Sequence, residues 1–142
     1  MSELYWSEPY NERFVEALHR DPRFQKAAKK FDDAVVFRCL DTPEGKDVSV
    51  TYRIVKGKVT MERREGKAPA PEIRGERLEG AFARTTAPYD LWVKLDKGDI
   101  SVARAIASPD YQVEGSKLKI MRHVGVFQAM AAVGADTPKR YA

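Results

Sequence analysis

Residues 124–133 read VGVFQAMAAV, shortly after a five-residue stretch, SKLKI, at 116–120. Only Gln128 is strongly polar in the first stretch. A helix on the surface of a soluble domain normally keeps one polar face. This one is apolar nearly all round, so at least two of its sides need cover. The cover is the core, a partner subunit, or the wall of a cavity for an apolar ligand. Gly134 is placed to stop the helix, and the tail from Ala135 to Ala142 carries no pattern that would order it.

The rest of the chain bounds the choice. At 142 residues it reads as one domain, 1–142, since domains commonly run to ~100–150 residues. A domain of this size buries roughly 68–70% of its unfolded surface and folds without disulfides or metals. A hydrophobic fraction of 43% and a charged fraction of 32% fit a soluble globular chain. There is no run of ~18 apolar residues that would span a membrane. The start, MSELYWSEPYNER, has no apolar signal region. The lone Cys39 excludes an intramolecular disulfide and fits a reducing compartment, so the expected location is cytoplasmic. The net charge of +4 is mild and its acids and bases are interspersed. This reads as an ordinary solvated surface, with a weak attraction to anionic lipid headgroups or nucleic acid as the alternative.

Along the chain, Ser7 caps a predicted helix with Pro9 in its first turn, and Tyr10, Phe14 and Leu18 repeat on one side. Asp21-Pro22 starts a second helix. The period then changes to two. Val35 to Leu40 is a β-rich run, and Val48, Val50, Tyr52 and Ile54 alternate with polar residues. A tight turn at Lys56-Gly57 leads to Val59 and Met61, which predicts a three-stranded antiparallel meander. Glu65 to Arg77 reads as a loop and Gly80 to Thr86 as a fourth strand. Pro88 opens a helix ending at Lys97-Gly98. Asp99 caps a short one on which Ile100, Ala103, Ile106 and Ala107 share a side. Tyr111 to Ile120 reads as a fifth strand, distorted at Gly115, running into the apolar helix. The expected fold class is α+β: a five-stranded, mainly antiparallel sheet covered by helices.

Catalytic and metal constellations are not visible. His19 and His123 have no ligand-like spacing with Cys39 or carboxylates, and His123 lacks an identifiable partner for general-base work. Gly75 to Gly80 (GERLEG) lacks the Lys-Ser/Thr of a phosphate loop. Asp32-Asp33 and Glu44 with Asp47 fit caps and turns. The basic group Lys56, Lys58, Arg63, Arg64 and Lys67 comes without exposed aromatics or a recognised module, so it does not read as a nucleic-acid surface. No cofactor is implied.

The segment Pro88 to Ala132 resembles the C-terminal half of the sterol carrier protein type-two domain. The resemblance rests on Trp92 in APYDLWVKL, on Gly98-Asp99 in KGDISVARAI, and on GSKLKI at 115–120 before an apolar helix. FQKAAKKFDDAVVFRCLD is similar to the entry of prokaryotic members. The resemblance implies a hydrophobic tunnel between sheet and helices that binds or transfers fatty acid, acyl-CoA, phospholipid or sterol-like ligands without converting them. Carried over by position, it places Trp92, Ile100, Ala103, Ile106, Leu118, Ile120, Phe127 and Met130 on the tunnel lining. Lys94, Lys97, Arg104 or Lys117 would hold an anionic headgroup at the rim. The chain ends Arg140-Tyr141-Ala142, unlike a peroxisomal tripeptide. Two alternatives stand beside the lipid carrier. One is a homodimeric interaction protein whose apolar helix is the subunit seam. The other is an enzyme on an apolar substrate, with His123 and Cys39 as its only candidates. A transient contact with an anionic membrane surface fits the mild positive charge.

Overall fold

The computed structural model describes residues 2–142, the side chain of Val102 excepted. A two-residue strand β1 (Glu3–Leu4) precedes α1 (Glu8–Arg20) and α2 (Pro22–Ala27). The Ser7 hydroxyl accepts from the Tyr10 N–H at 3.3 Å, capping α1 as its sequence requires. Asp21 serves both helices. Its N–H closes α1 on the Ala17 carbonyl, and its carboxylate accepts from the Arg23 and Phe24 amides that open α2.

The meander follows as β2 (Asp32–Leu40), β3 (Lys46–Val55) and β4 (Lys58–Lys67). Lys56 and Gly57 both take positive φ, 50° and 88°, the requirement of the two-residue turn whose twist matches a hairpin. After the short α3 (Pro71–Arg74) comes β5 (Ala83–Pro88), which lies beside β2 and parallel to it. Then come α4 (Tyr89–Lys97), α5 (Val102–Ile106), β6 (Gln112–Gly115), α6 (Lys117–Arg122), α7 (Val124–Asp136) and β7 (Lys139–Arg140). The main sheet has the order β4-β3-β2-β5-β6. It is mixed but mostly antiparallel, so the expected α+β class and the five strands are found.

The two faces of the sheet differ in chemistry because alternate residues face opposite ways. On one face Val35, Cys39, Val48, Val50, Tyr52, Ile54 and Val59 share a core with Phe14, Leu18, Phe24, Val126, Met130 and Val133 of α1, α2 and α7. The other face is polar and is crossed by the connection that holds α3. There Arg38 donates to the Ile73 carbonyl at 2.7 Å and to the Thr86 hydroxyl at 3.0 Å. Arg84 grips both oxygens of Glu114, at 3.1 and 2.9 Å. The fully buried Asp47 accepts from the Ala70 and Asp41 amides and from Arg74.

Several local expectations need correction. The strand expected over Tyr111 to Ile120 ends at Gly115, and Lys117–Arg122 is a helix capped by the Ser116 hydroxyl, which accepts from the Lys119 N–H. Gly115 has φ +119°, and a Cβ there would stand 2.0 Å from the Phe82 carbonyl oxygen. Only glycine permits that approach, and the strand stops there. Gly134 does not stop α7. It lies inside the helix, packed toward Phe14 and Tyr10, which a Cβ there would meet at ordinary contact distances of 3.6 and 3.7 Å. The tail is ordered, since β7 pairs in parallel with β1. Ser101, not Asp99, caps α5, and its buried residue is Ala105 rather than Ala103 or Ile106. Most of the expected loop from Glu65 is β4 and α3.

Candidate functional site

The apolar helix α7 owes its composition to cover on several sides. Its residues Val126, Ala129, Met130 and Val133 are buried, and it packs on α1, α2 and α4. Gln128, Ala131 and Ala135 are exposed along it, and Val124 at its start is 49% exposed. Small residues there read as apolar in sequence but leave little apolar surface.

The helical cover does not extend over the whole sheet. Arg63, Val50, Phe37, Thr85 and Val113 lie in register across all five strands, on the face that α1, α2 and α7 cover. Within this row Val50 is completely buried, Phe37 and Thr85 are half-buried, and Val113 is 47% exposed. An apolar side chain on the core face, open at the β6 edge, marks the place where the layer above is unfinished.

Trp92 packs on Phe37 of this row, and Phe127 packs on Phe82, which immediately precedes β5. Trp92, on α4, donates from Nε1 to the Arg38 carbonyl at 3.1 Å, which fixes its indole against Phe37 and Trp6 with ring centroids 5.8 and 5.1 Å away. Phe127 packs on Phe82 at 5.9 Å. Ile120 and Met130 join Trp92 and Phe127 on the main core. Ile100 joins a smaller cluster with Ala87, Leu91 and Ala105, to which Tyr111 and Trp92 also belong. Burial raises the Tyr111 phenol pKa, opposed by a hydrogen bond with Thr85. The remaining three of the eight expected lining residues face solvent: Ala103, Ile106 at 60% exposure and Leu118. The structure therefore gathers five of the eight around Trp92 and the main core, and leaves α5 and α6 with apolar groups in water. Phe37, Thr85, Tyr111 and Val113 were not expected. Their only sequence signal is the alternation of β2, since the partners of β5 and β6 are long-range.

Of the expected rim cations, Lys97 is turned away, its Nζ 4.8 Å over the Tyr141 ring. Lys94, Arg104 and Lys117 are exposed. The groups weighed for chemistry have other occupations. His19 Nε2 accepts from the Val59 N–H at 2.9 Å. His123 is set edge-on to Phe31 at 4.9 Å, with Phe82 at 6.1 Å. The Cys39 thiol is buried and its pKa is pushed up by that burial. Arg63 is held by Asn11, Glu65 and the Trp6 carbonyl, and Arg64 pairs with Glu76. Two surface concavities of about 460 Å³ each lie elsewhere, one at Glu44 to Lys46 with Glu65 to Lys67, the other on the polar sheet face near Arg53, Arg64 and Glu76. Neither includes an expected lining residue. Among the described residues no three His, Cys, Asp or Glu converge on a common metal position. Among them, too, no helix is long and apolar enough to cross a membrane.

Comparison with known proteins places this geometry. No profile of a known family and no curated protein matches the chain in sequence. Solved structures do match. Against a crystal structure of sterol carrier protein 2 the TM-score is 0.74 at 15% identity, over 94% of this chain and 98% of that one. A conserved hypothetical protein of Thermus thermophilus, described as "possibly sterol carrier protein", gives 0.71 at 14% identity over 100% and 96%. The apo form of sterol carrier protein 2 from Yarrowia lipolytica gives 0.57 at 14% identity over 89% of each chain. Agreement of this extent at such low identity is agreement in fold: the chain has the sterol carrier protein 2 fold.

Proposed function

We propose that the protein binds the apolar chain of a lipid along the open end of the sheet and carries it without chemical conversion. The observation that carries this reading is the row ending at Val113, where a core-facing apolar side chain meets solvent at the β6 edge while Phe37 in the same row packs on Trp92. In this reading Phe37, Thr85 and Val113 form the floor. Trp92, Phe127, Ile100, Ile120 and Met130 form the walls, and Ala103 and Ile106 form a rim on α5. Leu118 lies on the opposite side of α6 from Ile120 and is left out. Each methylene withdrawn from water there contributes ~0.8 kcal/mol, so five or six suffice for a binding energy of ~4–5 kcal/mol before the cost of association. The fold supports the reading because solved structures that share it are described as sterol carrier proteins.

The test is extraction of the purified protein with organic solvent and mass spectrometry of the extract, together with titration of a fluorescent fatty acid in vesicle-free buffer. Copurified lipid and saturable binding are expected, with a change in Trp92 emission. Val113→Glu should weaken binding at least tenfold while thermal unfolding shows a folded protein. Absence of both copurified lipid and saturable binding overturns the proposal, as does wild-type affinity in a folded Val113→Glu variant.

A further inference from the structure

We infer that the outer face of α6, continued by the first residue of α7, docks the protein onto a lipid surface that carries negative charge. The helix is Lys117-Leu-Lys-Ile-Met-Arg122, and none of its residues is buried. At ~100° per residue its side chains divide into two groups. Ile120, His123 and Lys119 face the body: Ile120 packs on the core, His123 on Phe31, and Lys119 Nζ lies 3.4 Å from Asp33. Leu118 and Met121 face outward within ~60° of each other. They are 75% and 74% exposed, and Val124, three residues further on, is 49% exposed. Lys117 and Arg122 flank this apolar pair and are themselves exposed.

Isolated exposed apolar residues are ordinary. Leu118 and Met121, one turn apart on α6 and bracketed by cations, with the half-exposed Val124 following across the His123 junction, are a patch. Its charge selects the partner. From Gly115 to Ala135 the chain has no Asp or Glu and contains Lys117, Lys119 and Arg122. Apolar groups that enter the headgroup layer, with ammonium and guanidinium groups at its edge, are the arrangement of an interfacial helix on anionic lipid. A second copy of this chain would bring the same cations against themselves.

The docking surface goes beyond the carrier reading and does not depend on it. The test is co-sedimentation of the full chain with vesicles of phosphatidylcholine alone and of phosphatidylcholine with one-third phosphatidylglycerol. Binding is expected to the mixed vesicles only and should weaken with salt. Replacing both Lys117 and Arg122 by Gln should weaken it about thirtyfold, from ~1 kcal/mol per cation near such a surface. Leu118→Ser with Met121→Ser should weaken it at least tenfold. All four positions are exposed, and circular dichroism confirms that the variants fold. No binding of the wild type to mixed vesicles, or binding within twofold of wild type in both folded double variants, overturns the inference. So does a concentration-dependent dimer by ultracentrifugation that the Ser variant abolishes, which would assign the face to a second copy. Fatty-acid titration without vesicles reports on the carrier reading alone, so the two can fail separately.

Discussion

Replacing Lys139 by Met should cost more stability than any surface change, because its partner is left charged and buried. The Lys139 and Asp96 side chains are 3% and 5% exposed and meet at 2.6 Å. Lys139 Nζ also donates to the Gly134 carbonyl at 2.5 Å and lies 5.2 Å from the centre of the Tyr5 ring and 5.5 Å from that of Tyr10. The Tyr141 hydroxyl donates to the same Asp96 oxygen at 2.6 Å. In the variant the carboxylate keeps only Tyr141, and the Gly134 carbonyl loses its donor. Breaking one side of a buried pair costs ~3–5 kcal/mol. With an unfolding entropy of ~2.1 cal/mol/K per residue, a chain of this length should lose ~10–17 °C in Tm. Asp96→Leu combined with Lys139→Met should recover most of the loss, because no unpaired charge remains. Urea unfolding followed by circular dichroism measures Lys139→Met, Asp96→Leu and the double variant. A Lys139→Met cost below ~1 kcal/mol would refute the argument, as would a double variant no more stable than the sum of the singles predicts. Asp96 lies one turn beyond Trp92 on α4, so the same lock ties the tail to the wall of the proposed site.

Three further outcomes are expected. Gly115→Ala places a Cβ 2.0 Å from the Phe82 carbonyl oxygen at φ +119°, so it should destabilise by ~2 kcal/mol or more and shift the near-ultraviolet dichroism of the aromatic core. For Asp47, burial alone would raise the carboxyl pKa, but the hydrogen bonds from Arg74 and the Ala70 and Asp41 amides outweigh it and hold the pKa below the ordinary carboxylate value. A depressed folded pKa means stability that is fully present above the unfolded value of ~3.9 and is lost as pH falls through the folded one. Asp47→Asn should therefore be ~2–3 kcal/mol less stable at pH 7, with the gap closing below about pH 4. An equal gap in urea midpoints at pH 7 and pH 3 would contradict this. Cys39 should resist a thiol reagent in the native protein and react in urea, because burial raises its pKa. Stoichiometric labelling at native pH would contradict the packing.

Where a local signal has no rival, sequence and structure agree. Ser7 and Asp21 are good caps with proline in the following turn, and nothing nearby competes for those amides. The alternation of Val48, Val50, Tyr52 and Ile54 admits only one pleat, and Lys56-Gly57 only one turn. SKLKI is different, because apolar residues at 118 and 120 satisfy a strand, while Ser116 at its head satisfies a helix. The left-handed Gly115 against Phe82 ends β6 and lets Ser116 cap α6, and that contact spans more than thirty residues of chain. For the proposed site, the resemblance to the sterol carrier domain suggested Trp92, Ile120, Phe127 and Met130, and no local signal pointed to Val113 or Thr85.

By itself, then, the sequence determined the α+β class, the meander, the starts of α1 and α2, and the demand that residues 124–133 be covered. These follow from local periodicity, capping and turn chemistry, which act between near neighbours. Only the tertiary structure decided that β5 runs parallel to β2, that Gly134 is a contact rather than a stop, and that the tail is locked by Lys139. It alone decided that the cover ends short of Val113 and that Leu118 and Met121 face outward. Each of those depends on which distant segment wins a place on the sheet, and burial is settled only when the whole chain has been packed.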